Sequence, residues 1–209
     1  MGIGKTRDMQ PINRRSFALA SAGLFVGTAA AIGQDEDNKP RVPTEADFER
    51  DYEPPKFKPS WKNKQINRTM VQDFVILAHS DLAMVEKLLK REPKLVNAAM
   101  DWGNGDFETA LGGATHMGKK DIVQVLLKAG ARIDIFCAAM MGMTDVVKAF
   151  LTLEPALIDV PGPHGFNLHF HAQVGQDDAK PVLDYLQSVK EIKLRPVPWL
   201  RKKKPATDK

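Results

Sequence analysis

The chain has 209 residues and a formal net charge of +4, with 30 Lys and Arg against 26 Asp and Glu. Residues 1–33 carry +3 and residues 190–209 carry +6, so residues 34–189 carry −5. This acidic central region argues against a nucleic-acid-binding domain, because such a domain needs its basic residues on the folded face. Cys137 is the only cysteine, which excludes an intramolecular disulfide.

The first segment has the features of an export signal. Arg14 and Arg15 precede an uncharged stretch over residues 17–32 that is rich in Ala and Gly. With Phe17 two residues after the arginine pair, the segment resembles a bacterial twin-arginine signal. The resemblance implies a signal peptide over residues 1–33 and a periplasmic or secreted protein. An uncleaved membrane anchor is the alternative, although the apolar stretch is shorter than the about 20 residues that a spanning helix needs.

Two further segments have the composition of linkers or tails. Residues 34–66 combine five prolines with many charges and show no helical period, which predicts an extended linker. Residues 189–209 form a basic, proline-interrupted tail that we expect to be mobile. A membrane contact is expected only through the leader or this tail. Docking of the tail on an anionic surface is a further alternative for the main role of the protein.

Residues 108–134 form one unit of an internal repeat. A segment rich in small residues precedes an amphipathic stretch, and the apolar positions of that stretch form one helical stripe: Ile122, Val123, Leu126 and Leu127. Asp121 is expected to cap this helix and Gly130 to end it. The same pattern recurs over residues 138–151 and 168–188, and upstream over residues 81–89.

The repeat resembles the ankyrin repeat, a helix pair of about 33 residues that opens with T-P-L-H-x-A. Thr109 and Leu111 match the first and third letters of that opening, and Leu168-His169 matches its Leu-His. Ala129-Gly130-Ala131 matches the Gly-Ala that follows the second helix. The resemblance implies an all-α ankyrin-repeat solenoid of about four helix pairs over residues 67–188. Stacked neighbours would bury the apolar stripe that no single pair can bury.

The resemblance also implies a function, because the first helices and projecting fingers of ankyrin repeats line a groove that binds proteins. We expect an exported, monomeric protein-binding module or scaffold with no catalytic activity of its own. The residues that match the groove and the finger are Trp102, Asn104, His116, Met117, Met140, Met141, Phe170 and Gln173. The helical period leaves open whether Met140 and Met141 line the groove or pack in the core.

Metal and enzyme chemistry give the alternative hypothesis. A metal- or ligand-binding accessory protein or enzyme would use His164, His169 and His171. Their spacing matches no structural zinc pattern, and helix positions i and i+2 point in different directions. We therefore expect no metal and no cofactor, and we expect His169 to take the place of a structural histidine of ankyrin repeats. Cys137 lacks a nucleophile elbow and is expected to pack in the core.

Overall fold

The computed structural model describes residues 45–60 and 62–200. The proposed export signal at residues 1–33 and the end of the tail at residues 201–209 lie outside the described residues. The chain divides into two units at Pro59. In the first unit, residues 45–59 form no helix or strand and are exposed, and the rings of Phe48 and Tyr52 lie 6.2 Å apart.

The second unit, from Ser60 onwards, is mostly helical, which is consistent with the all-α prediction. Its α-helices are α1 (Arg68–Leu77), α2 (Leu82–Arg91), α3 (Ala110–His116), α4 (Lys120–Lys128), α5 (Ile135–Met140), α6 (Thr144–Leu153), α7 (Leu168–Gly175) and α8 (Lys180–Val189). Short 3₁₀ turns lie at Pro93–Asn97, Pro155–Asp159, Pro163–Gly165 and Gln176–Ala179. Within the described residues, none of the helices has the length and apolar character needed to span a membrane.

One short hairpin departs from a purely helical fold. Strands β1 (Ala99–Asp101) and β2 (Phe107–Thr109) pair antiparallel, with Met100 opposite Glu108. The connecting loop contains three consecutive residues at positive φ, Gly103, Asn104 and Gly105. Two of these three residues are glycines, so the tight turn costs little conformational energy, because glycine adopts positive φ without steric clash. The hairpin ends directly at α3.

Side-chain caps explain where the first helix of each pair begins. The side chains of Asn67, Thr109, Asp134 and Asn167 each accept a backbone N–H from the first turn of α1, α3, α5 and α7. The expected cap at Asp121 is wrong. Helix α4 already begins at Lys120, after the left-handed residue Gly118, so Asp121 lies inside its first turn.

The helices pack as consecutive pairs around two apolar clusters. The first helices contact one another in the order α1, α3, α5 and α7, while α2 contacts α4 and α6 contacts α8. The predicted stripe is in the core, since Ile122 is 1% exposed and Leu126 is fully buried. One cluster is centred on α1–α4, and the other on α5–α8.

The described part of the C-terminal tail is packed rather than free. The Gln173 side chain donates to the carbonyl of Arg195 at 3.0 Å, and Val197 is buried against the first cluster. The ring of Trp199 contacts Phe170 at a centroid distance of 5.6 Å. The expectation of a mobile tail is therefore wrong for residues 190–200, because its apolar residues find partners on α7.

Candidate metal centre

Four side chains from separate elements converge beside the hairpin. His79 follows α1, Glu108 lies on β2, His116 ends α3, and His164 lies in the turn Pro163–Gly165. One potential ligand atom from each of these residues lies within 4.8 Å of the others. We call this group the His₃Glu cluster.

The carboxylate is the centre of the cluster. Glu108 Oε1 lies 3.0 Å from His116 Nδ1, and Glu108 Oε2 lies 3.4 Å from Nε2 of both His79 and His164. The Glu108 side chain is fully buried and that of His116 is 6% exposed, whereas those of His79 and His164 are 20% and 26% exposed. Among the described residues, the side of His79 and His164 is therefore the part of the cluster that is most open to solvent.

The glycine pair at the start of α3 makes room for the cluster. A Cβ on Gly113 would lie 2.6 Å from Cε1 of the His79 ring. A Cβ on Gly112 would lie 3.1 Å from Cγ of Glu108. Any larger residue at Gly113 would displace the imidazole, so this backbone surface serves as a cradle for the His79 side chain.

Outer hydrogen bonds orient two of the imidazoles. His79 Nδ1 donates to the carbonyl of Val75 at 2.9 Å, and His164 Nδ1 donates to Asp106 Oδ2 at 2.7 Å. Both acceptors can only accept, so Nδ1 carries the proton in each ring. In the neutral ring Nε2 then presents a lone pair, and in both cases it faces Glu108. Carboxylate and carbonyl partners orient metal-binding histidines in this way.

Two buried atoms of the cluster have no hydrogen bond. Glu108 Oε1 and His116 Nδ1 are close, but their geometry does not make a hydrogen bond, and neither has another partner. A buried polar group without a partner costs about 1–3 kcal/mol. Both are placed where a cation between them would remove that cost.

Electrostatics keeps the carboxylate charged. Burial would raise the pKa of Glu108, but the imidazoles of His116 and His79 close to the carboxylate lower it well below its usual range. Burial likewise works against a protonated His79, yet the Glu108 carboxylate outweighs it and raises the His79 pKa above its ordinary value. Glu108 is thus an anion at neutral pH that attracts either protons on the imidazoles or a metal cation.

The structure brings only some of the predicted partner-binding residues to a surface. Asn104 and Trp102 are exposed on the hairpin loop, whereas Met117 and Met141 are partly buried. His116 and Met140 are buried, which corrects their expected place in a groove: Met140 is part of the first apolar cluster. The predicted residues on α7 lie against the C-terminal segment, Phe170 beside Trp199 and Gln173 bonded to Arg195.

The predicted histidine grouping is divided by the fold. His164 joins the cluster, but His169 and His171 are buried on α7, where each bonds a backbone carbonyl: Lys190 for His169 Nε2 and Asn167 for His171 Nδ1. Burial lowers the pKa of His171 to about 4.

Cys137 is fully buried, and burial raises the pKa of its thiol to about 11, so it is not a thiolate at neutral pH. His79 and Glu108 were not among the predicted site residues.

The buried His171 predicts a stability loss in acid. Its pKa of about 4 in the folded chain lies below the ordinary histidine value of 6.5, so the unfolded chain binds more protons between these pH values and stability falls as pH falls. Between pH 7 and pH 5 this group should remove about 2 kcal/mol from the free energy of unfolding. Urea unfolding of the wild type and His171→Gln at both pH values measures it. The variant should lack this part of the pH dependence, and equal dependence in both chains would contradict the assignment.

Comparisons with known proteins found no counterpart for this chain: no family model, no curated protein and no solved structure matches it.

Proposed function

We propose that this protein binds one transition-metal ion of the zinc class through His79, Glu108, His116 and His164. The observation that carries the proposal is the arrangement of three imidazole nitrogens around one buried carboxylate with its Oε1 unpartnered. Two of the imidazoles are held by outer hydrogen bonds with Nε2 directed at that carboxylate.

The spacing of the donors suits such an ion. Four ligands at about 2.1 Å from a tetrahedral zinc ion lie about 3.4 Å from one another. In the cluster, His116 Nδ1 lies 3.0 Å from Glu108 Oε1, and the Nε2 atoms of His79 and His164 each lie 3.4 Å from Oε2, so all three nitrogens face the carboxylate at about this spacing. Three nitrogens and one oxygen favour zinc and its neighbours in the first transition row over magnesium and calcium, which take oxygen ligands.

Protonation of the imidazoles is the competing explanation of the same geometry. One imidazolium beside Glu108 would balance the charge of the carboxylate. A divalent ion with neutral imidazoles leaves one excess positive charge, but it gives both Oε1 and His116 Nδ1 a partner, which protonation of His79 or His164 does not.

Metal stoichiometry tests the proposal. The full chain is dialysed against excess Zn²⁺, then against metal-free buffer, and its metal content is measured. We expect one zinc per chain for the wild type, and loss of zinc from Glu108→Gln and His116→Ala. His169→Gln and His171→Gln are matched controls, because they remove buried histidines outside the cluster and should keep the zinc. A wild type without zinc, or equal zinc in all five proteins, would refute the proposal.

We propose that the fold that carries this site is an ankyrin-type solenoid of four helix pairs. The support is the repeated cap at the start of α1, α3, α5 and α7 and the left-handed glycines, Gly118 and Gly142, between the helices of two consecutive pairs.

The Arg14-Arg15 leader supports export to the periplasm. No reaction is proposed, because four protein ligands are typical of structural rather than catalytic zinc.

A protein-binding role stays a second proposal, and the hairpin supports it. Phe107 is 64% exposed and Trp102 is 41% exposed. Exposed aromatic side chains of this kind are frequent anchors in protein interfaces. Capture of partner proteins from an envelope fraction by the wild type but not by Phe107→Ser would support this role. Equal capture by both chains would show that Phe107 on the hairpin does not contribute to partner binding.

A further inference from the structure

Trp102 makes a contact that links it directly to the carboxylate of the His₃Glu cluster. Its indole Nε1 donates a hydrogen bond to Glu108 Oε2 at 2.9 Å. An indole N–H can only donate, so Oε2 is the acceptor in this hydrogen bond. The indole ring also meets the rings of His79 and His164 edge-on, at centroid distances of 5.7 and 5.4 Å. The donor is therefore held between two of the proposed ligands.

The two oxygens of Glu108 are consequently not equivalent. Oε2 accepts the indole proton and also faces the Nε2 atoms of His79 and His164, whereas the buried Oε1 lies beside His116 Nδ1 and accepts no hydrogen bond. A hydrogen bond draws electron density from the oxygen that accepts it and occupies one of its lone-pair directions. Oε1 is thus the better donor to a cation, and a two-oxygen chelate would have to compete with the indole.

We propose that Trp102 is a positioning residue that restricts Glu108 to one coordinating oxygen and so fixes the bound ion at four ligands. This inference rests on the proposed metal binding. A four-coordinate site of three nitrogens and one oxygen selects ions that accept a tetrahedron, such as Zn²⁺ and Co²⁺. It disfavours Mn²⁺, which prefers sites with more ligands and more oxygen donors.

Replacement of Trp102 by Phe keeps an aromatic ring and removes the donor. Oε2 is then free to coordinate, and the coordination number can rise to five. The matched control is Trp199→Phe, because the ring of Trp199 lies 6.3 Å from that of His116 and is also partly exposed. The Trp199 side chain is not among the hydrogen-bond partners of Glu108.

The visible absorption of bound Co²⁺ is the readout, since its ligand-field bands are intense in tetrahedral sites and weaken and shift to shorter wavelength at higher coordination number. We expect intense bands for the wild type and Trp199→Phe, and a several-fold loss of intensity for Trp102→Phe. The affinity of Trp102→Phe for Zn²⁺ should fall by roughly 10–100-fold, as is usual when an outer partner of a metal ligand is lost. Its affinity for Mn²⁺ relative to Zn²⁺ should rise.

The outcomes separate the two proposals. Identical Co²⁺ spectra for the wild type and Trp102→Phe, with Co²⁺ bound to both, would overturn the role of Trp102 and leave metal binding intact. A wild type that binds no Co²⁺ or Zn²⁺ would overturn both. X-ray absorption of the zinc-loaded wild type gives a check that needs no variant. Four nitrogen and oxygen ligands at about 2.0–2.1 Å are expected, and a fifth near oxygen would contradict the one-oxygen carboxylate.

Discussion

Zinc at about a thousand times its Kd should raise the free energy of unfolding of the wild type by about 4 kcal/mol relative to the chain in a chelator. The gain arises because the folded chain holds the four ligands together, whereas the unfolded chain does not. For a chain of this size it corresponds to an increase of about 10 °C in Tm. Thermal unfolding followed by circular dichroism, at several zinc concentrations, measures it.

Glu108→Gln is the matched control for this stabilisation. Glutamine has nearly the same shape and keeps an acceptor for the indole of Trp102, but it lacks the negative charge that the ion needs. We expect its Tm to be nearly independent of zinc. An equal increase in both chains would show that zinc acts at another site.

The same ion should slow hydrogen exchange in particular segments. The ligands come from the end of α1, β2, the end of α3 and the turn Pro163–Gly165, so the ion closes long loops between elements that are distant in sequence. The turn is held in the structure by two hydrogen bonds from His164 to Asp106. Its amides are expected to gain the most protection, and uniform protection along the chain would argue for a nonspecific effect.

The helices could be predicted from sequence because their determinants are local. The apolar stripe of α4 and the left-handed Gly130 occur where the period and the turn chemistry placed them. The predicted cap of α4 at Asp121 is wrong, because the left-handed Gly118 lets the helix begin at Lys120 without a side-chain cap. Helix boundaries depend on such backbone geometry, which is difficult to predict from amino-acid composition.

The His₃Glu cluster could not be predicted by ligand spacing, because its members come from elements that are distant in sequence. Spacing rules detect ligands that are neighbours in sequence, whereas His79 and His164 meet Glu108 only through the fold. A signal was present nonetheless. His79 follows the C-cap of α1 and His116 is the last residue of α3, so both lie at the C-terminal ends of first helices in consecutive pairs, and Gly113 leaves space for the His79 ring.

The described part of the C-terminal segment shows how composition can mislead. Its charges and prolines favoured a mobile tail, but Val197, Trp199 and Leu200 outweigh them by packing on α7 and on the first apolar cluster. A few buried apolar side chains are enough to fix a short segment, because each contributes about 1.5–3 kcal/mol when it is fully removed from water.

Gly175→Ala should destabilise the chain by about 4 kcal/mol or prevent folding, because α5 and α7 approach each other too closely for a methyl group. A Cβ at Gly175 would overlap the carbonyl oxygen of Met140 at the end of α5 and the Cβ of Ala179. The φ of Gly175 is −66°, an ordinary helical value, so the cost comes from steric overlap and not from backbone strain. Urea unfolding at constant metal concentration measures it.

Gly130→Ala separates this steric effect from the cost of a left-handed backbone. Gly130 has a φ of +95°, and a Cβ there would meet nothing within 4 Å. Its replacement should cost only about 1–2 kcal/mol, the ordinary penalty of a left-handed residue with a side chain. If the two variants were equally stable, α5 and α7 would have to lie further apart than in this structure. A much larger loss of stability in Gly175→Ala than in Gly130→Ala would show that the stacking of α5 on α7 depends on their close contact at Gly175. The packing of the apolar stripes of the second helices would then not replace this contact.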